Sequence, residues 1–251
     1  MLEKIIEANK AVERDMADSR QYKIAVIGKM KSGKSSFIRA YFRYFFGDDA
    51  GINPPIDIVE CTRVSREYSL PFHEVALWDI PGYGSTSVTE KDYFKLHQLD
   101  KYDAYVMCSA VYSDFELALH NEIALQGKRY VYARTKTDMA MRNWMRSQNA
   151  TDAEWTRERN KIEQSLKTYF HDVPIFFIDN KKPNEFDFPN LVIQLPYIAD
   201  FSIESRRKKQ EHDKKKKKTS KQHSTQRSTH RSTQHSTQPS TNETASSCAL
   251  M

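Results

Sequence analysis

Short apolar runs alternate with longer segments in which apolar side chains return every three or four residues. Tyr22–Ile27 is the first compact run and predicts a strand. A glycine-containing turn follows, then a helix through about Phe46, which Gly47 would end. Residues 47–60, with Gly51, Pro54 and Pro55, predict a loop. Val75–Ile80 predicts a second strand, stopped by Pro81-Gly82. Ala104–Ala110 and Arg129–Arg134 predict two more, with a helix between them opened by a Ser113-x-x-Glu116 capping box. Thr151-x-x-Glu154 opens another helix, which carries Trp155, Ile162, Leu166 and Phe170. Ile175–Ile178 predicts the last strand. Phe188–Ile198 predicts a last short helix, or one broken at Pro196. Ahead of all these, residues 2–18 place Leu2, Ile5, Ile6, Ala8, Val12 and Met16 at roughly helical spacing. They predict a short amphipathic helix that packs on the body or on a partner.

Strands alternating with helices imply an α/β fold with a parallel-rich central sheet covered on both faces. In such sheets ligands bind at the C-terminal ends of the strands. A chain of 251 residues suits one domain of about 200 residues plus a tail. Three parts are expected: residues 1–20, a body over 21–203, and a tail over 204–251.

Charge separates body from tail. From Arg206 onward there are twelve Lys/Arg and three Asp/Glu, whereas the body is slightly acidic. The tail opens with Arg206–Lys209 and Lys214–Lys218. A Ser-Thr repeat follows, led in turn by His223, Arg227, Arg231, His235 and Pro239. It has no apolar residue to bury and is expected to be a solvated, disordered linker. A basic arm of this kind seeks an anionic surface. Nucleic acid is disfavoured as that surface, because no aromatic residue interleaves the lysines. No apolar run reaches membrane-spanning length and no signal-peptide core opens the chain, so the cytosol is the expected compartment. Cys61 and Cys108 are expected to be free thiols.

Five segments carry chemistry. Gly28-Lys29-Met30-Lys31-Ser32-Gly33-Lys34-Ser35 matches the phosphate-binding loop pattern, directly after a strand and before a helix. Its glycines let the backbone wrap a phosphate, and N–H groups from Lys31 to Ser36 would point inward. The helix N-terminus adds partial positive charge. Lys34 would reach the β- and γ-phosphates, and the Ser35 hydroxyl would ligate Mg²⁺. Asp79-Ile80-Pro81-Gly82 ends a strand, so Asp79 would hold the metal and the Gly82 N–H would sense a γ-phosphate. In Thr135-Lys136-Thr137-Asp138, the Asp138 carboxylate can accept from N1 and the exocyclic amine of guanine, a donor pair adenine lacks. The Lys136 stem can cover the base plane. Asp179-Asn180-Lys181 follows the last strand and could contact the guanine carbonyl. Thr62, in Val59-Glu60-Cys61-Thr62, could close on Mg²⁺ and the γ-phosphate. Tyr83 follows Gly82, where Ras-like enzymes place a water-orienting glutamine, and cannot do that task. The expected fold is thus a P-loop NTPase of the Ras-like type, with GTP/GDP and Mg²⁺ as cofactors.

Together these segments resemble the immunity-related, or interferon-inducible, GTPases. The likeness runs from about Tyr22 to Leu195. It rests on Gly28–Ser36, Val59–Thr62, Trp78-Asp79-Ile80-Pro81-Gly82-Tyr83-Gly84-Ser85-Thr86, Arg134–Asp138 and Phe186-Asp187-Phe188-Pro189. It implies a dynamin-related enzyme that binds GTP and GDP and pairs through its GTPase face. It also implies work on intracellular membranes in cell-autonomous defence, with links to autophagy. Glu60 would take the part of the family's Val-Glu-x-Thr glutamate in hydrolysis. Full-length members carry a large helical domain after the GTPase domain, and only one short helix and the tail follow here. The last four residues, Cys248-Ala249-Leu250-Met251, form a prenylation box. A prenyl group on Cys248 with the basic runs would give the two signals that stable attachment to a cytosolic membrane face needs. Two readings stay open. One is a GTP hydrolase, and the other is a nucleotide-gated membrane adaptor with negligible hydrolysis of its own.

Overall fold

The structure is a computed structural model and describes residues 21–47, 65–69, 74–84, 90–204 and 207–208. The segment 2–18, the loop over 48–64 with Glu60, Cys61 and Thr62, and the basic tail with Cys248 lie outside the described residues. The chain divides between Arg206 and Arg207 into two units, and the first holds all that follows.

Among the described residues six strands form one sheet: β1 (Tyr22–Ile27), β2 (Arg66–Tyr68), β3 (Val75–Asp79), β4 (Ala104–Ser109), β5 (Tyr130–Arg134) and β6 (Ile175–Phe177). Their order is β2-β3-β1-β4-β5-β6. Only the β2–β3 pair is antiparallel. This is the α/β, parallel-rich sheet that the alternation of runs implies. The helices are α1 (Lys34–Phe46), α2 (Glu90–Leu96), α3 (Asp114–Leu125), α4 (Thr137–Gln148) and α5 (Asp152–Phe170), with α6 over 188–204.

The period of two along the strands divides the core. Ile24, Val26, Leu77, Val106 and Val131 face one way, against Phe37 and Phe42 of α1 and Phe188 and Leu195 of α6. Ala25, Ile27, Tyr105, Met107 and Tyr132 face the other, against Tyr93 of α2, Phe115 and Leu119 of α3, and Phe170 of α5. Residues 24–27 are wholly buried, because this central strand is covered on both faces.

Some expected features take a different form. The Thr151–Glu154 capping box is present, with the Thr151 N–H donating to the Glu154 carboxylate at 2.7 Å. The Ser113–Glu116 box is not. Glu116 is buried, and the Ser113 hydroxyl donates to its carboxylate instead of to the helix backbone. Pro196 does not break α6. A proline inside a helix costs about 3 kcal/mol or more. Phe188, Leu191, Val192, Leu195 and Ile198 are all buried along α6, at about 1.5–3 kcal/mol each, and offset it.

Asp187 fixes where α6 begins. Its carboxylate accepts the Phe177 N–H at 2.8 Å and the Arg159 guanidinium at 2.5 Å. Its own carbonyl accepts the Leu191 N–H at 2.9 Å, the first turn of the helix. Thus one side chain joins β6, α5 and α6, and Phe188 beside it is driven between Phe37 and Tyr44. Phe188→Ala is expected to cost about 3–5 kcal/mol. Urea unfolding should show a lowered midpoint at an unchanged slope.

Candidate functional site

The turn between β1 and α1 is shaped by residues that tolerate left-handed backbone. Lys31 has φ 61° and Gly33 has φ 96°. Gly28, at φ 141°, meets a neighbouring strand: a Cβ there would lie 2.2 Å from the Cys108 carbonyl oxygen of β4. No other residue fits at that position.

Lys34, in the first turn of α1, is buried. Its ammonium turns back into its own loop and donates to the Lys29 carbonyl at 2.9 Å and the Gly28 carbonyl at 3.3 Å. The end of β3 closes the loop from one side. Met30 N–H donates to Tyr83 O at 2.9 Å, and Tyr83 N–H to Gly28 O at 3.3 Å. Between these bonds Gly82 lies so near that a Cβ would sit 2.7 Å from Met30 Cα and 2.8 Å from Lys34 Nζ. The Ser35 hydroxyl donates to Asp79 Oδ2 at 2.6 Å, and Asp79 is only 1% exposed.

The other side of the loop is held by β5 and β6. The Thr135 hydroxyl donates to the Ser32 carbonyl at 2.6 Å, and Lys136 Nζ to the Lys31 carbonyl at 2.9 Å. Asn180 Nδ2 donates to the Gly33 carbonyl at 3.0 Å, leaving its buried Oδ1 without a protein partner. Asp179 is buried and accepts the Lys181 N–H at 2.9 Å, while the Lys181 carbonyl accepts from Arg43. Asp138 stands in the first turn of α4, and Arg142 one turn on donates to its Oδ2 at 2.7 Å. That arginine contact had no signal beyond an i, i+4 pair on a helix the apolar pattern does not reveal.

The four described segments singled out from the sequence therefore meet at one end of the sheet, around one loop. Glu60 and Thr62 lie outside the described residues, as do Ser85 and Thr86. Tyr83 is committed elsewhere. Its ring stacks on Phe115 at 3.9 Å and 7°, and Tyr93 meets it edge-on at 6.0 Å. Tyr93 in turn donates its hydroxyl to the Pro81 carbonyl at 2.8 Å, and burial raises its pKa far above the phenol range. Burial likewise pushes the Cys108 thiol up to about 12, so it is an inert core group.

The donor set suits a small hard cation. A hydroxyl and a carboxylate oxygen 2.6 Å apart are the oxygen ligands that Mg²⁺ takes when it shares its shell with phosphate and water. Among the described residues no group of three or more His, Cys, Asp or Glu could hold a metal alone. No helix of the described residues is long and apolar enough to cross a membrane.

Residues 2–227 match the family model for the interferon-inducible GTPases. "Interferon-inducible GTPase 5" of Rattus norvegicus is 33% identical over 185 residues, covering 70% of this chain and 39% of the relative. "Interferon-inducible GTPase 1" of Mus musculus is 28% identical over 217 residues, covering 76% and 51%. The chain thus spans about half or less of the length of these curated relatives. A solved GTP-binding protein from Sulfolobus solfataricus, in complex with GDP, aligns at a TM-score of 0.47 and 15% identity. That alignment covers 79% of this chain and 57% of the solved one.

The close approach of Gly82 to the loop gives a test of the clamp. In Gly82→Ala the methyl meets the Met30 backbone, which cannot swing away as a side chain would. A loss of about 1–3 kcal/mol is expected, read by thermal unfolding. Wild-type stability in that variant would show that the two segments are not packed together.

Proposed function

The chain belongs to the interferon-inducible GTPase family, and from that premise we propose that it binds GTP and GDP with Mg²⁺ and hydrolyses GTP. The observation that carries this reading is the convergence of Lys34, Ser35, Asp79, Gly82, Thr135, Lys136 and Asn180 on one turn. Lys34 would exchange two neutral carbonyls for charged phosphate oxygens, a stronger partner for an ammonium. Ser35 and Asp79 would hold Mg²⁺, which neutralises phosphate charge when bound. Gly82 would offer its N–H to the γ-phosphate. Asp138 would select guanine, Lys136 would cover the base plane, and Asp179, Asn180 and Lys181 would border it.

In hydrolysis, water adds to the γ-phosphorus as the bond to the β–γ bridging oxygen breaks, giving GDP and inorganic phosphate. Tyr83 does not supply the group that orients this water, because its ring is stacked on Phe115 against the core. Glu60, closing with Thr62, takes that role in this reading. A second copy across the GTPase face would bring the two into place. The stacking of Tyr83 also favours a second reading, a nucleotide-gated adaptor that binds GTP and turns it over negligibly alone.

Turnover by the purified chain across protein concentrations separates the two. Specific activity should rise with concentration and vanish in Lys34→Ala. A flat, near-zero rate with nucleotide still bound would favour the adaptor. Undiminished GTP binding by Lys34→Ala would remove the site itself.

We further propose attachment to the cytosolic face of intracellular membranes, in cell-autonomous defence or autophagy. The support is Cys248 with Lys214–Lys218 and Arg206–Lys209. Cys248→Ser should move the protein from the membrane to the soluble fraction of cells. Unchanged membrane association would exclude the prenyl group as the main anchor.

A further inference from the structure

At the other end of the sheet from the phosphate loop lies a cavity of ≈ 650 Å³. Its walls are His120 and Ala124 of α3, Tyr130 at the start of β5, Val173 ahead of β6, and Tyr197 and Phe201 of α6. One face of α6 continues it as an apolar stripe. Ile193, Tyr197 and Phe201 stand four residues apart, at 56%, 67% and 46% exposure. The opposite face of the same helix, with Leu191, Leu195 and Ala199, is wholly buried. Three large apolar side chains in one row on a surface mark a place that something covers.

We propose that the segment 2–18 of this chain covers it, docked as an amphipathic helix with Leu2, Ile5, Ile6, Val12 and Met16 against the stripe and the cavity mouth. This goes beyond the nucleotide reading and does not depend on it. Two observations select this occupant.

The first is connection. The segment leads into Tyr22, whose N–H is already fixed to the Glu74 carbonyl at the N-terminal end of the sheet. The cavity opens at that same end. β1 neighbours β4, and β4 neighbours β5, with Ile24 opposite Ala104 and Tyr105 opposite Tyr130. Two strand spacings are about 10 Å. Residues 18–21 can cross that distance in extended form, at about 3.3 Å each.

The second is length. Seventeen helical residues span about 25 Å. The stripe from Ile193 to Phe201 spans about 12 Å, so the segment covers both it and the cavity mouth.

Hydrogen exchange on the full chain tests the proposal, with Tyr197→Asp and Ile6→Asp as variants. Tyr197 is mostly exposed, so its replacement leaves the core intact, and unchanged protection of the β1 and β4 amides checks this. Amides 4–16 should exchange about tenfold or more slowly in the wild type than in either variant, as an opening equilibrium held ten to one closed requires. Equal, fast exchange in all three chains would overturn the docking. Protection that grows with protein concentration would assign the stripe to a second copy and overturn it too. So would protection seen only with phosphatidylserine vesicles, which would assign the stripe to a membrane.

Discussion

A buried ammonium sets the terms for one end of this molecule. A charge removed from water must be paired or solvated by fixed dipoles, and Lys34 is served by the carbonyls of Gly28 and Lys29. Those carbonyls can turn inward only if the loop takes left-handed backbone at Lys31 and Gly33. A loop so bent has its remaining carbonyls facing outward, and they too need partners. Thr135 takes Ser32, Lys136 takes Lys31, and Asn180 takes Gly33. The strand ends β5 and β6 are therefore tied to the loop by the same constraint that bends it. A loop tied from outside in this way has its shape fixed by strands on both sides of it.

The link to β3 is of another kind. Gly82 and Met30 touch backbone to backbone, and the Tyr83 peptide bridges Gly28 and Met30. The side chains here turn away from the loop. Tyr83 stacks on Phe115 of α3, and Tyr93 of α2 holds the Pro81 carbonyl. The turn after Asp79 thus belongs to two structures at once, the phosphate loop through its backbone and the helical layer through its rings. Any displacement of Gly82 must either carry α2 and α3 along or break an aromatic stack worth about 0.5–1.5 kcal/mol. Tyrosine where a glutamine would orient water therefore has a structural cause in this chain, for the half-buried ring packs against the core through Phe115.

The sequence was most legible where one side chain has one physical task. The strands that face core on both sides appear as unbroken apolar runs, and the loop glycines have no substitute. Residues Gly28 to Ser35 and Asp79 to Gly82 could be placed at strand ends from pattern alone. The misses share a cause. β2 is Arg66-Glu67-Tyr68, an edge strand whose pairing rests on backbone bonds to β3 and not on apolar side chains. α4 buries only Thr137, so its sequence lacks an apolar period. Pro196 reads as a break because propensity is local, whereas the burial that overrides it comes from strands far away in sequence. The Ser113–Glu116 pair has the letters of a capping box, but burial of Glu116 directs its carboxylate inward. The contact between Arg142 and Asp138 needed the helix before it could be seen.

The two ends of the sheet differ in chemistry for a reason that lies in the helices. At the C-terminal strand ends stand the N-termini of α1 and α4, where partial positive charge favours carboxylates and anions. Asp138 sits in that first turn of α4. At the opposite end α3 and α5 finish, with partial negative charge. Lys128 and Arg129 follow α3 closely, and the Lys128 ammonium donates to the Tyr102 carbonyl at 2.7 Å. Cations there complement the helix ends. α6 runs down to this end too, and Ser202 of its last turns accepts the Arg129 N–H at 2.8 Å. The parallel arrangement of the strands thus sorts the surface into an end whose helix N-termini favour anions and an end with an apolar cavity and the exposed side chains of Tyr197 and Phe201. The sorting follows from topology, so the apolar end exists whatever nucleotide the other end holds. A surface of that composition suits apolar side chains better than water, and the sequence directly ahead of β1 offers Leu2, Ile5, Ile6, Val12 and Met16 at roughly helical spacing.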